Sequence, residues 1–252
     1  MRPYYGELYP QGQGFRELYW SARNDLEAGS MITTDNISDG SMRQAIAYTY
    51  AMIEMIDDGI GRILSTLDSR GLTDNTIILF TSDHGELLGT HGLLHKGPPP
   101  YRQLTEVTLL LKGPGITAGK TIDTLTSHID LAPTFLELAG IELDGNEFDG
   151  VSLKPLLNGK GRIYREYDLG EYHPSTRPEI YNQTIRTEHW RLTIYPCNPE
   201  WGELFDLESD PEEHLNLYHT SSVNSVRKEL ENILATEFPP KTSVDNEWLC
   251  KW

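Results

Sequence analysis

Cysteine is nearly absent: two residues in 252, Cys197 and Cys250, far apart. That excludes a disulfide framework and a C-x-x-C metal site, leaving one disulfide or two free thiols open. Cations are scarce too. Lys and Arg number 21 against 38 Asp and Glu, a formal charge of −17. Phosphate backbones and anionic lipid surfaces are gripped by Lys and Arg, so nucleic acid and membranes are not expected partners. An acidic chain that binds an anionic ester must instead gather its few cations, or a metal, at one place. No run of about 18 apolar residues occurs, which excludes a membrane-spanning helix. Met1 to Phe15 has no basic n-region followed by an apolar stretch and does not read as a signal peptide. The compartment stays open. Internal repeats and low-complexity tracts are also lacking.

What is present is ordinary globular material: 38% hydrophobic and 23% charged residues, in a chain long enough for one large domain or two small ones. Residues 1 to about 40 lack sustained periodicity and read as irregular segments that pack on something else. From Ser41 the texture changes. Ser41-Met42-Arg43-Gln44 has the form of a capping box. Ile46, Tyr50, Ile53, Ile56, Ile60, Ile63, Leu64 and Leu67 then form one helical stripe, with Arg70 and Gly71 as the stop. The spacing predicts a helix over about 42–69. Thr76 to Thr81 is a short β-branched and apolar run of the kind buried on both faces of a parallel sheet. Val107 to Leu111 is a second strand. A compact helix follows between Asp130, its cap, and Gly140, with Pro133 in the first turn. This alternation predicts an α/β sandwich over residues 1–160. Over 161–252 a hairpin is predicted (Ile180 to Arg186, Trp190 to Tyr195), then a polar turn at Asp206 to Pro211. An amphipathic helix through Val223, Val226, Leu230, Ile233 and Leu234 completes a smaller antiparallel α+β unit.

The densest chemistry is Thr81-Ser82-Asp83-His84-Gly85-Glu86, directly after the first strand. In open α/β sheets ligands gather beyond the carboxyl ends of strands. Asp offers hard oxygen ligands and neutral His a nitrogen, so Asp83 and His84 leaving one strand together can reach one ion. Gly85 permits a sharp backbone departure. Downstream, Lys96 lies in His95-Lys96-Gly97. A lysine on a Gly-flanked loop beside a metal can hold a doubly charged oxyanion. His91 is either a residue that orients the site or a loop histidine bonded to backbone. His95 has no assigned role.

The stretch from Thr73 to Gly115, TDNTIILFTSDHGELLGTHGLLHKGPPPYRQLTEVTLLLKGPG, is similar to the second signature region of the sulfatase family, within the alkaline-phosphatase-like superfamily. Tyr48 to Leu67, Ser127 to Thr134 with Leu138-Ala139-Gly140, and Glu203 to Leu217 fall in that family's order. The resemblance implies a mixed sheet flanked by helices, with the N-terminal half missing, plus a small C-terminal α+β subdomain. It implies a metal-dependent hydrolase of sulfuric esters, acting on a small sulfate ester or a sulfated glycan. Asp83 and His84 then match metal ligands, for calcium, or for manganese or zinc as in phosphonate and phosphate-ester hydrolases of a sister branch. Lys96 matches the lysine that contacts the ester. Alternatives are a phosphate or phosphonate monoester hydrolase, or a non-catalytic metal-binding module. Two departures stand out. Glu106 and Thr108 replace the usual Arg and Pro, reversing one charge near the site. The C/S-x-P-x-R motif that yields the formylglycine nucleophile is absent, as are the early Asp-Asp ligands. Cys197-Asn-Pro-Glu-Trp is a near miss without the arginine. The nucleophile is therefore expected from a missing N-terminal half or a partner chain, and the chain alone is expected to be inactive.

Overall fold

A computed structural model describes residues 32–34, 37–144, 148–161, 165–174 and 180–238. Most of the irregular opening segment, the Pro239-Pro240 stop and Cys250 lie outside these residues, while Cys197 is an exposed free thiol.

After a two-residue strand β1 (Ile32–Thr33), the long helix α1 spans Asp39–Ser69. It begins three residues before the predicted start. Ser38, not Ser41, is the cap, its side chain accepting from the Ser41 backbone N–H at 3.1 Å. The end is as predicted: Arg70 is the C-cap and Gly71 turns left-handed at φ 64°. The stripe is present but uncovered. No residue of α1 is buried, and Ile53, Ile56, Ile63 and Leu64 all face solvent.

Strands β2 (Ile78–Thr81), β3 (Leu93–Leu94) and β4 (Leu109–Lys112) follow, with the one-turn helix α2 (Arg102–Thr105) before β4. The apolar run of the first strand predicts a place in a parallel sheet. Instead β2 and β4 pair antiparallel, Ile78 opposite Lys112 and Thr81 opposite Leu109. Their apolar character on both faces remains, since side chains alternate across the ladder, but Phe80 and Leu110 are 41% and 61% exposed. β1 pairs antiparallel with β3.

Helix α3 (Leu131–Leu138) is entered through a 3-10 turn at His128–Asp130. The predicted side-chain cap on α3 is not made: Asp130 stands at the N-cap position without a side-chain bond to the helix. Its fully buried carboxylate accepts from the backbone N–H of Ser127 at 2.8 Å and of Val151 at 2.9 Å, and pairs with Arg165. Gly140 ends the helix at φ 84°. The short helix α4 (Lys154–Leu157) packs Leu153, Leu156 and Leu157 against Leu109, Leu111 and Leu138.

The C-terminal unit is a meander of β5 (Tyr167–Tyr172), β6 (Asn182–Thr187), β7 (Trp190–Ile194) and β8 (Glu203–Asp206), all antiparallel and in sequence order. The predicted hairpin is β6–β7, its turn tied by Thr187 Oγ1 accepting from the Trp190 N–H at 2.9 Å. Helix α5 (Asn224–Glu237) closes one face. Leu230 and Leu234 seat on Ile185, Leu192 and Leu204, all nearly inaccessible.

A buried polar strut ties this unit to the loop between β3 and β4. Arg191 pairs with Glu213, and Glu213 also accepts from the Arg102 backbone N–H at 2.8 Å. The Tyr101 hydroxyl donates to Glu203 at 2.9 Å, and the Arg191 guanidinium lies over the Tyr101 and Phe205 rings.

Candidate functional site

Strand β2 ends at Thr81, and Asp83 and His84 emerge just beyond it. Gly85 is required here by closeness rather than by an unusual φ. Its N–H donates to Leu104 O at 2.9 Å, and a Cβ on it would sit 1.9 Å from the Gln103 carbonyl oxygen. That contact carries the Asp83-His84 pair against the loop leading to β4.

The imidazole protonation follows from its neighbours. His84 Nδ1 lies 2.7 Å from the Gly85 carbonyl oxygen, which can only accept, so Nδ1 carries the proton. Nε2 then presents its lone pair and accepts from Lys96 Nζ at 2.7 Å. Asp83 Oδ2 is 3.4 Å from the same Nε2. The Asp83 carboxylate accepts from the His84 backbone N–H at 3.0 Å, which holds its pKa below the ordinary value, with the charge of Lys96 acting in the same direction.

Lys96 reaches this position because Glu86 holds its loop. Glu86 Oε1 accepts from the backbone N–H of Leu88 at 3.2 Å and from that of His95. Glu86 sits within the DHGE stretch, but its role depends on a residue nine positions later that spacing does not disclose.

Asp83, His84 and Lys96 line one open cavity of about 1020 Å³. His128 and the loop from Ile122, residues 98–100 and 104–107, and one face of β5–β6 form its other walls. His91 is not among the lining residues. It stacks on the Tyr101 ring at 3.8 Å between centroids, 14° between planes, with His214 edge-on. Burial, then the charges of His214 and Arg191, push its pKa down to about 3. Its Nε2 makes no hydrogen bond of good geometry among the described residues, although the Gln103 side chain is near enough to favour the proton weakly.

Glu106, the residue that reverses a charge relative to the family pattern, is not a bare anion. It accepts from Arg102 at 2.8 Å and pairs with Arg186 of β6. Sequence reasoning missed Arg186 and the whole β5–β6 wall. The available signal was the run of alternate polar residues along strands whose other face is apolar.

The donor set accommodates part of a divalent site. Two donors 3.4 Å apart, one carboxylate oxygen and one unprotonated imidazole nitrogen, can share an ion at ordinary ligand distances. No cluster of three or more His, Cys, Asp or Glu suited to a metal occurs among the described residues, so these two donors alone do not make a complete divalent site.

Comparison with known proteins bears on the family of the chain. Residues 2–141 match the family described as Sulfatase, and residues 89–238 match the one described as N-sulphoglucosamine sulphohydrolase, C-terminal. An N-acetylglucosamine-6-O-sulfatase of Bacteroides thetaiotaomicron is 33% identical over 204 residues, 78% of this chain and 36% of that protein. Among solved structures, one described as a complex with its substrate D-glucosamine-2-N,6-O-disulfate superposes with TM-score 0.73 at 29% identity, over 88% of this chain and 44% of that one. A phosphonate monoester hydrolase of Agrobacterium radiobacter gives 0.72 at 28%, over 80% and 42%. The chain thus spans well under half the length of these proteins. With one family profile covering more than half of its residues and its Asp-His pair and lysine gathered at one cavity, the chain belongs to the sulfatase family.

Proposed function

We propose that this chain is the C-terminal portion of a metal-dependent hydrolase of sulfuric esters. The observation that carries the reading is the convergence of Asp83, His84 and Lys96: one imidazole nitrogen lies 3.4 Å from a carboxylate oxygen and 2.7 Å from an ammonium group, in one cavity.

In this reading Asp83 and His84 contribute two ligands to a divalent cation, calcium first, with manganese and zinc as alternatives. The cation supplies Lewis-acid polarisation of the ester oxygens when bound. Lys96, freed from His84 Nε2 when that lone pair is used, turns its ammonium group to the sulfate and offsets charge on the leaving oxygen. Gly85 N–H on Leu104 O and Glu86 on the His95 N–H keep the pair and the lysine in register. His91 is a positioning residue, fixing the Tyr101 ring from outside the cavity. The substrate is a sulfated small molecule or glycan, a reading supported by the sulfated glucosamine named for one structural neighbour. We place the division between catalytic portion and C-terminal subdomain at residues 160 and 161, consistent with the separate β5–β8 core under α5.

The sequence contains no C/S-x-P-x-R motif. The nucleophile therefore comes from another stretch of polypeptide, and the 252-residue chain alone should not turn over an aryl sulfate. The polypeptide that includes the nucleophile should hydrolyse it, and Asp83→Ala should lower kcat/KM by about 100-fold or more. Turnover by the isolated chain that Asp83→Ala abolishes would overturn the incompleteness. A second reading, hydrolysis of phosphate or phosphonate monoesters, is favoured by the phosphonate hydrolase neighbour. It would be preferred if the same polypeptide cleaved an aryl phosphate faster than the sulfate.

A further inference from the structure

Helix α2 is a single turn of four residues, too short to persist in water on its own. Its cap residue, Tyr101, makes no side-chain capping bond, so the helix supplies no acceptor for its own leading N–H groups. The C-terminal unit supplies one instead, 111 positions away: Glu213 accepts from the Arg102 N–H at 2.8 Å. Glu212 accepts from the Arg102 guanidinium at 3.2 Å and from the Gln103 side-chain amide at 3.1 Å. The Pro211 carbonyl accepts from the same guanidinium at 3.0 Å. Three consecutive residues of one turn thus grip two consecutive residues of α2.

Neither side of this grip has slack. Glu213 is buried and paired with Arg191. Its backbone stands at φ 60°, a left-handed conformation that a residue other than glycine keeps only where its surroundings enforce it. The turn is closed by the Glu213 N–H on Asp210 O at 3.0 Å and by the Leu215 N–H on the Asp210 carboxylate at 2.7 Å. Across α2, Leu104 O accepts from the Gly85 N–H at 2.9 Å, and the Gln103 carbonyl oxygen fills the place a Gly85 Cβ would take. Gly85 O in turn accepts from His84 Nδ1 at 2.7 Å. A shift of α2 is therefore passed to Gly85, and from there to the His84 ring.

We infer that the 211–213 turn is a positioning device for the Asp83-His84 pair: Glu213, through the Arg102 N–H, α2 and Gly85, sets the direction in which the imidazole and the carboxylate present their lone pairs. Glu213 is not among the residues lining the cavity, so it acts through others and is a positioning residue. Lys96 has a separate support, Glu86 on the His95 N–H. The turn therefore governs the ligands to a cation and not the lysine that meets the ester. The coupling rests on the reading of Asp83 and His84 as metal ligands. It makes metal affinity a property of the C-terminal unit as well as of the strand end, as groups behind a ligand commonly do.

The full polypeptide carrying this chain is compared with its Glu213→Gln, Glu212→Ala and Leu234→Ala variants. Leu234→Ala loosens the core under α5 without touching α2. Calcium, manganese and zinc are titrated in turn by calorimetry, hydrogen exchange over residues 82–88 is followed by mass spectrometry, and thermal melts confirm folding. Glu213→Gln should weaken binding of the metal by about tenfold and speed exchange over 82–88. Glu212→Ala alters an exposed side chain, so it decides the matter if Glu213→Gln unfolds. It should weaken binding by about threefold, the weight of an exposed ion pair, with faster exchange as well. Leu234→Ala should leave both readouts as in the parent. Metal binding that both Glu variants retain, or that Leu234→Ala weakens as much as Glu213→Gln does, overturns the coupling alone. Faster exchange in the Glu variants of a parent that binds none of the three metals upholds the link from turn to strand end and overturns the metal reading. Unchanged exchange in such a parent overturns both.

Discussion

The electrostatics of the site resolve at the scale of single side chains. Fixing the His84 tautomer on the Gly85 carbonyl decides what the other nitrogen can do, and the Lys96 contact at 2.7 Å shows that the lone pair is directed into the cavity. Asp83, His84 and Lys96 were legible in the sequence because a strand end is a fixed place from which adjacent side chains diverge. His91 was not, because its surroundings come from Tyr101 and His214, ten and more than a hundred residues away. Its depressed pKa has a measurable consequence. The folded form binds its proton only near pH 3, whereas the unfolded histidine does so near 6.5. Between those values the unfolded chain holds more protons, so stability rises with pH and is lost on acidification, by about 1.4 kcal/mol per unit from this group. His91→Phe keeps a ring on Tyr101 without the titrating group. Denaturant unfolding at pH 4 to 7 should show a slope shallower by about one proton in this variant. An unchanged slope would show that His91 is not the buried neutral group described.

At the scale of elements, what the sequence disclosed and what it hid divide by the range of the interaction. The stop at Arg70-Gly71, the β6–β7 hairpin and the α5 stripe are local patterns and came through. The start of α1 lies earlier than predicted because Ser38 and Ser41 are both good capping residues and Ser38 takes the role. The antiparallel partner of β2 was hidden because a short apolar run carries no direction. The strut was hidden altogether: Arg191, Glu203 and Glu213 read as ordinary charged positions until the fold buries all three. Removing one partner of a buried pair leaves a charge without compensation. Arg191→Met should cost about 3–5 kcal/mol in denaturant unfolding, far more than loss of the half-exposed Arg102–Glu212 pair, at roughly 0–1 kcal/mol. Gly85→Ala tests the close approach behind the Asp83-His84 pair. A Cβ 1.9 Å from a carbonyl oxygen must displace backbone, so a loss of about 1–3 kcal/mol is expected. Neutral behaviour of Gly85→Ala would mean that the 85–104 contact is not as drawn.

On the scale of the whole molecule, the exposed surface is what the proposed reading of the chain as one portion of a larger domain would leave uncovered. The apolar stripe of α1 and the faces of β2–β4 are the strongest hydrophobic signals in the N-terminal portion, yet Met55 is 73% exposed and Ile63 63%. Each large apolar side chain left in water forgoes about 1.5–3 kcal/mol that burial would contribute. The C-terminal meander shows no such deficit, since its stripe on α5 meets Ile185, Leu192 and Leu204. The two portions should therefore differ in cohesion. The isolated chain should bind a hydrophobic dye and self-associate through α1 and the open β2–β4 pair, and Ile63→Glu with Leu110→Lys should lower both without weakening the β5–β8 unit. Polypeptide supplying the rest of the domain should do the same and raise the melting temperature, because it would cover the surface that the charged substitutions merely make soluble. Light scattering and dye binding on the three preparations check this, and a monomeric parent chain that melts cooperatively and binds no dye would show that the stripe is covered from within.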